Sequence, residues 1–321
     1  MPKTRATSAE RDAVAADLAA SGTGCWPDTP LRIGISGWTY GGWRGVWYPK
    51  GLAQHRELEF ASRRHNTIEI NGSFYSLQRP SAYESWYRET PPGFTFSVKG
   101  PRFVTHMKKL RDVRVPVANF FGSGVLALRE KLGPILWQFP PNFGWNEGRF
   151  REFFELLPKR TDEAAEMAKL HDDKLKHGVY AQTDAARPIR YCVEVRHPTF
   201  LVPEFFALLR EYNIAFVFAD TARRWPYAED LTADFVYVRL HGDEQLYVSG
   251  YSPSALDWWA TRIRLWAKGK AAPDAPLVSK SRTKPAAREV YVYFDNDAKV
   301  HAPFDAQQLA ARLAVPQLTN S

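Results

Sequence analysis

Apolar and polar positions alternate with two periods along this 321-residue chain. Eight short apolar runs read as strands: Arg32–Trp38, Thr67–Asn71, Phe94–Lys99, Ile135–Phe139, Tyr191–Arg196, Ala215–Asp220, Phe235–His241 and Val290–Asp295. Between them, Glu57–His65, Ala82–Glu89, Asn119–Lys131, Gly148–Leu157, Pro203–Tyr212, Pro253–Lys268 and Ala306–Ala314 carry apolar residues at helical spacing. Ser81 and Asp305 are the expected helix N-caps, and Pro203 suits a first turn. The connection Thr221–Ala233 shows no long helical pattern. Strands buried on both faces, with helices between them, imply a parallel sheet. Eight such units predict an α/β fold, a slightly irregular TIM-barrel-like (β/α)8 barrel forming one domain over residues 31–321. Residues 1–30 read as a tail with a short helix near Glu10–Ala20, closed by Ser21-Gly22.

Two insertions interrupt the alternation. Lys159–Pro188 includes EAAEMAKLHDDKLKHG and is expected to extend a helix; Gly269–Arg288, rich in Ala, Pro, Ser and basic residues, is expected to be a mobile connector. Each lies between a helix and the next strand, which predicts the face opposite a barrel's site. His171, Asp172, Asp173 and His177 read as solvated charge on an exposed helix rather than as metal ligands.

In such barrels, chemistry sits where the strands end. Side chains alternate along a strand, so polar residues two apart share a face. Glu69 with Asn71, Glu194 with Arg196, Thr95 with Ser97 and Lys99, Tyr237 with Arg239 and His241, and Tyr291 with Tyr293 and Asp295 form such sets. The opposite faces are apolar, so the polar sets should point into the barrel near its mouth. Unpaired charges there would cost on the order of several kcal/mol each, so they must pair, bind a ligand, or both. Glu69, Glu194, Asp220 and Asp295 are balanced by Lys99, Arg196, Arg239 and His241.

Acid–base roles follow. If either Glu69 or Glu194 is desolvated and the other lies near a cation, their proton affinities separate and the desolvated one serves as general acid. Asp220 is the further candidate carboxylate. Lys99 and Arg239 suit a phosphate or carboxylate, and His241 suits a proton shuttle. A structural ion network closing the barrel is the plainer alternative. A divalent cation on Glu69, Glu194, Asp220, His241 and Asp295 is the sharper rival, though no HExxH or CxxC spacing supports it. No organic cofactor is expected. Gly34-Ile35-Ser36-Gly37 lacks the nucleophile-elbow pattern, and Gly41-Gly42 lacks a following phosphate-loop Lys-Ser/Thr.

The predicted rim is aromatic and basic: Trp38, Tyr40, Trp43, Tyr75, Arg102, His106, His197, Arg223, Trp225, Tyr227 and Tyr247 all follow strand ends. Aromatic faces stack on bases or sugar rings while cations meet phosphates. The net charge of +8 points the same way, modestly. No stretch of about 18 apolar residues exists, so no membrane partner is expected. The first 22 residues are charged throughout and lack the apolar stretch of a secretory signal. Two cysteines, Cys25 and Cys192, make no disulfide framework, which favours a reducing cytoplasm.

The segments GISGWTYGGWRGVWYP, NTIEINGSFYSLQRP, FTFSVKGPRFVTHMKKL, ILWQFPPNF, EVRHPTF, YVRLHG and VYVYFDND, in this order from about Leu31 to Phe304, resemble the YecE-like family, labelled domain of unknown function 72. The resemblance implies a TIM-barrel-like fold and no established reaction. It places the family's recurring positions on residues that include Trp38, Tyr40, Glu69, Asn71, Tyr75, Lys99, His106, Gln138, Glu194, Arg196, His197, Arg239, His241 and Asn296. The expected function is acid–base, hydrolase-like catalysis by Glu69, Glu194, Asp220 and His241. The substrate would be phosphorylated or nucleotide-like, held by Trp38, Tyr40, Asn71, Tyr75, Lys99, His106, Gln138, Arg196, His197, Arg239 and Asn296. Two alternatives stand beside it: a non-catalytic nucleic-acid-binding protein and a metal-dependent hydrolase.

Overall fold

A computed structural model describes residues 7–20, 24–279 and 286–318. Helix α1 (Ser8–Ala20) precedes β1 (Leu31–Ser36), α2 (Glu57–Ser62), β2 (Thr67–Ile70), α3 (Gly72–Tyr75), α4 (Pro80–Glu89) and β3 (Thr95–Lys99). There follow α5 (Arg114–Gly122), β4 (Leu132–Gln138), α6 (Glu147–Leu156), α7 (Thr161–Ala168), β5 (Tyr191–Glu194), α8 (Pro203–Glu211) and β6 (Ala215–Asp220). The chain continues through β7 (Phe235–Leu240), α9 (Pro253–Ala267), β8 (Glu289–Phe294) and α10 (His301–Arg312). The eight strands are parallel and pair in sequence order, and β8 closes on β1 through Gly34 opposite Tyr293. The expected TIM-barrel-like fold is therefore present, slightly irregular because β6 and β7 are joined without a helix.

Alternation sorts each strand into two faces. Ile33, Ile35, Ile68, Ile70, Phe96, Val98, Trp137, Val193, Phe216, Phe218, Val236, Val238, Val292 and Phe294 face the helices and join the main core. Inside the barrel, a second cluster pairs small residues of β6 (Ala215, Val217, Ala219) with Tyr237, Tyr291 and Tyr293 from β7 and β8. Large rings thus fill the space that small ones leave. The tyrosine hydroxyls do not go unpaired: Tyr293 lies 2.7 Å from Thr67 Oγ1, and Tyr237 donates to Glu69 at 2.6 Å.

Several local expectations are corrected. The helix expected over Asn119–Lys131 ends at Gly122. A 3-10 run, Val125–Lys131, follows Gly124, whose φ of 116° favours glycine and where an added Cβ would come 2.6 Å from Pro80 Cα. Arg79, not Ser81, is the N-cap of α4, because Pro80 pre-sets the first helical φ. Asp305 is not a cap: α10 starts at His301, and the buried Asp305 carboxylate accepts from the Tyr251 N–H and from Asn296 Nδ2.

The described part of the supposed tail is docked. Val14, Leu18 and Trp26 are buried, and Trp26 Nε1 donates to the Ser62 carbonyl at 2.8 Å. The Ser21-Gly22 stop lies outside the described residues.

Lys159–Pro188 does not extend α6. Leu157 leaves the helix in an extended conformation, and α7 forms separately with Ala164 and Ala168 buried. Nor does it stay on the far face: Asp172 accepts from Asn119 Nδ2 on α5, and Lys174 Nζ lies 5.0 Å from the ring of Phe103, in the loop leaving β3. The excursion therefore climbs the barrel's flank to the rim. Within Gly269–Arg288, residues 280–285 lie outside the described residues. The described stretch before them is fastened: the Val278 and Ser279 N–H groups donate to Asp230, and Arg262 makes a two-pronged bond to Asp274.

Candidate active site

Arg239, near the end of β7, faces inward and is completely buried. Its Nη1 donates to Glu194 Oε2 at 2.7 Å, and its Nη2 donates to Glu69 Oε1 and Asp295 Oδ2, both at 2.9 Å. Its Nε donates to Glu69 Oε2 at 3.2 Å. Glu69 also accepts from the Ser36 and Tyr237 hydroxyls at 2.5 and 2.6 Å, so its acceptor positions are filled. Asn71 Nδ2 donates to Ser36 Oγ at 2.8 Å and ties the end of β2 into the network. Glu194 Oε1 accepts from Arg196 Nε at 3.1 Å. Burial alone would raise Glu194, but the Arg239 and Arg196 guanidiniums override it and hold the carboxyl well below the usual range. Burial opposed by Arg239, and by the His241 hydrogen bond, has the same effect on Asp295.

His241 is fully buried, with Nδ1 3.0 Å from Asp295 Oδ2 and Nε2 3.4 Å from Arg239 Nη1. If Nε2 accepts from Arg239, the ring proton sits on Nδ1 and faces Asp295. His241 therefore orients Asp295 and has no open path to a ligand, unlike the expected shuttle. Glu69 and Glu194, expected as acid–base carboxylates, are ionic partners of Arg239.

Two groups around this core carry protons unlike their ordinary selves. Lys99 Nζ, inward at the end of β3, lies 4.3 Å from the Phe74 ring. Burial and then the Arg239 charge push its ammonium down to about 8, partly offset by Glu69, Glu194 and Asp295. Asp297, just beyond β8, is pushed well up by burial and by the charge of Asp295. Tyr40 lies against this pair. Its hydroxyl donates to the Ser36 carbonyl at 2.5 Å, and burial with both aspartates keeps it protonated. From the β3 loop comes His106, edge-on to Phe74 at 5.1 Å; burial, Arg196 and Lys99 lower its imidazole to about 4. Arg196 completes the mouth, its guanidinium 3.7 Å from the Trp225 ring centroid and 3.4 Å from the Tyr247 hydroxyl.

Of the sequence-predicted residues, Glu69, Asn71, Lys99, Gln138, Glu194, Arg196, Arg239 and His241 thus share the upper interior of the barrel, with Gln138 opposite Glu194 in register. Tyr40 and His106 join from the rim. The others lie elsewhere. Asp220 shares the outward parity of Phe216 and Phe218 and accepts from the Tyr251 hydroxyl at 3.0 Å, away from Arg239. Trp38 packs edge-on against Trp86 at 5.2 Å, because the strand ends at Ser36 and Gly37 turns the chain with φ 82°. His197 caps a 3-10 turn by accepting from the Thr199 N–H. Asn296 holds Asp305 and the Ser249 carbonyl. Tyr75 projects from the rim, 65% exposed. Among the described residues no group of three or more His, Cys, Asp or Glu side chains is arranged to hold a metal ion; of the carboxylates expected to do so, Glu69, Glu194 and Asp295 converge on a guanidinium, and Asp220 lies elsewhere.

Sequence reasoning missed Asp297 as a site residue. The signal was there in Phe294-Asp295-Asn296-Asp297, where two aspartates two apart follow a strand.

No helix among the described residues is long and apolar enough to cross a membrane. The Bacillus subtilis (strain 168) protein called UPF0759 protein YunF is 30% identical over 118 residues, which are 35% of this chain and 41% of that protein. UPF0759 protein YecE of Escherichia coli (strain K12) is 28% identical over 138 residues, 43% of this chain and 48% of that protein. The chain thus spans about half the length of the curated relatives it matches. A DUF72 family crystal structure from Thermotoga maritima superposes with a TM-score of 0.66 at 24% identity, covering 88% of this chain and 99% of that one. One from Enterococcus faecalis gives 0.63 at 14%, covering 91% and 98%. Both share the fold. The family described as "Protein of unknown function DUF72" matches residues 32–320, nearly the whole chain, and the protein belongs to it.

Proposed function

We propose that the protein is an enzyme performing acid–base, hydrolase-like chemistry on a phosphorylated or nucleotide-like molecule bound at the barrel mouth. The observation that carries this is a pair of acids two residues apart at the end of β8: Asp295, 2.9 Å from Arg239 Nη2 and held low by it, and Asp297, pushed well up by burial and by the Asp295 charge. Neighbouring acids whose proton affinities are driven apart are the arrangement acid–base catalysis needs near neutral pH. Asp297 is the donor, assisted by Tyr40; Asp295, held by Arg239 and His241, is the acceptor. Lys99, beside the Arg239 network, and Arg196, which pairs with Glu194 at its outer edge, supply the anion-binding side. Isothermal titration with inorganic phosphate at low salt tests the binding half. Affinity should fall at least about tenfold, or 1.4 kcal/mol, in Lys99→Met and in Arg196→Ala. A panel of phosphorylated metabolites tests the chemical half. No phosphate binding by the wild type, or full turnover by Asp297→Asn of any substrate found, overturns the proposal.

A second reading, a nucleic-acid-binding protein, is favoured by one patch. Exposed Tyr75 lies 5.5 Å from the Arg102 guanidinium, next to Phe103 and Lys174. Oligonucleotide affinity that falls steeply with salt, without turnover of any kind, would replace the first reading with this one.

A further inference from the structure

Asp220, directed away from the Arg239 network, lines a cleft of about 540 Å³ between the loops leaving β6 and β7 and the first turns of α9. That volume suits a small-molecule ligand, for which about 300–1,000 Å³ is usual. Trp225, Tyr227 and Trp258 supply aromatic walls, and Asp220, Asp243 and Arg223 supply polar groups. The two indoles are braced by guanidiniums: Arg196 lies 3.7 Å from the Trp225 centroid and Arg262 lies 3.9 Å from that of Trp258. Trp258 is nonetheless 42% exposed, an unusual position for so large an apolar ring.

The polar groups are of the complementary kind. Asp220 accepts one bond from the Tyr251 hydroxyl at 3.0 Å and a longer one from the Ala222 N–H at 3.4 Å. A carboxylate has about four acceptor positions, so it can take further donors. Asp243 adds acceptors from the β7 loop, and Arg223 adds donors from the β6 loop. Acceptors and donors arriving from separate segments around a braced aromatic surface match a ring with hydroxyls radiating around it and C–H faces above and below. A planar base presents its donors along one edge and makes less use of such a set.

The cleft adjoins the mouth. Trp225 forms its wall and also carries Arg196, one of the two cations assigned to the anion. We propose that this cleft is a sugar-binding subsite and that the substrate class is a sugar phosphate, its ring in the cleft and its phosphate on Lys99 and Arg196. The phosphate half rests on the function proposed above; the sugar half stands on the cleft alone.

The two halves are tested separately by titrating the full chain with methyl hexosides and pentosides, inorganic phosphate, adenosine, and hexose and pentose phosphates. Calorimetry and tryptophan fluorescence report binding. A neutral glycoside should bind weakly, and its affinity should fall about tenfold in Trp258→Ala and in Asp220→Asn, the loss of roughly one stacking or hydrogen-bonding contact. Lys99→Met should leave it unchanged. A sugar phosphate should bind at least about tenfold tighter than either fragment, because the second contact becomes intramolecular. Trp258 is at the surface, so Trp258→Ala tests the cleft even if Asp220→Asn folds poorly. Glycosides that do not bind, or bind the Trp258→Ala variant equally well, overturn the subsite, as does adenosine binding in their place. Glycoside binding that persists while phosphate fails to bind supports the subsite and overturns the anion site at the mouth.

Discussion

Lys99 offers a direct test of how charge is arranged at the mouth. Its ammonium is buried and stands beside Arg239, and its proton affinity drops from 10.5 to about 8. That gap corresponds to about 3 kcal/mol by which the fold disfavours the charged form. Below pH 8 the lysine is charged in both the folded and unfolded chain, and the cost is fully present. Between pH 8 and 10.5 the folded state releases the proton while the unfolded state keeps it, so wild-type stability should rise with pH. Above 10.5 the cost is gone. Lys99→Met keeps the length and apolar stem without the charge. It should therefore be more stable than wild type by about 3 kcal/mol at pH 7, with the advantage shrinking from pH 8 and vanishing near 10.5. Urea denaturation of both proteins between pH 6 and 10.5 measures it. Added phosphate should narrow the gap by stabilising only the wild type. A methionine variant that is less stable at pH 7, or an advantage independent of pH, would refute this account.

Other groups make further predictions. Arg239→Met leaves Glu69, Glu194 and Asp295 buried without their shared cation and should cost about 3–5 kcal/mol at pH 7; denaturation at pH 4 should show a smaller loss, as the carboxyls take up protons. In the wild type, Glu194 and Asp295 are held low, so their stabilising contribution is fully present above the ordinary carboxylate range and is lost progressively as pH falls from that range through their lowered values; Glu194→Gln should flatten the acid limb of a stability–pH curve. Asp297→Asn should be more stable than the wild type at pH 7, with the advantage shrinking as pH falls toward the ordinary carboxylate range, because burial and the Asp295 charge disfavour the ionised Asp297 carboxyl in the fold, whereas Asp295→Asn should be less stable, since it removes an ionised partner of Arg239. Proton NMR should show His106 titrating near pH 4 in the free protein and at higher pH when phosphate is bound.

Much of the barrel was legible because parallel strands covered on both faces leave an unmistakable run of apolar residues. Parity then found most of the network: Glu69, Lys99, Glu194, Arg239 and Asp295 are inward for the reason they were expected to be. On β6 the choice of Asp220 rests only on its ending the strand, not on parity. Phe216 and Phe218 share Asp220's face, and rings of that size belong against the helices, with Ala215, Val217 and Ala219 inside. Asp220 was therefore an outward residue by the same rule that placed the others. Trp38 and Asn296 lie two residues past the last strand residue, where the backbone has left the extended conformation that carries alternation. The insertion 159–188 was placed by its position between a helix and a strand, but a segment of that length can travel along α5, where the Asn119–Asp172 pairing and the Tyr180 N–H bond to the Gly122 carbonyl fix it. Docking of α1 was signalled by Val14 and Leu18, four apart on one helix face.

A purely structural ion network accounts for part of this mouth and not the rest. Arg239 and Arg196, with the Ser36, Tyr237 and Asn71 hydrogen bonds, bind up Glu69 and Glu194, and Asp295 adds a contact to His241. Such a cluster closes a barrel without further cations. Lys99 sits beside it at a cost to the fold, and Asp297 brings a second carboxyl against Asp295 where an asparagine or serine would fit without repulsion. Groups that weaken the folded state where simpler residues would serve are the ones to examine for function, because stability gives no reason to keep them. They also stand at one end of a continuous surface, running from Lys99 through Arg196 to Trp225 and the Asp220 cleft. A ligand with an anionic end and a hydroxylated end would meet each part with its matching chemistry.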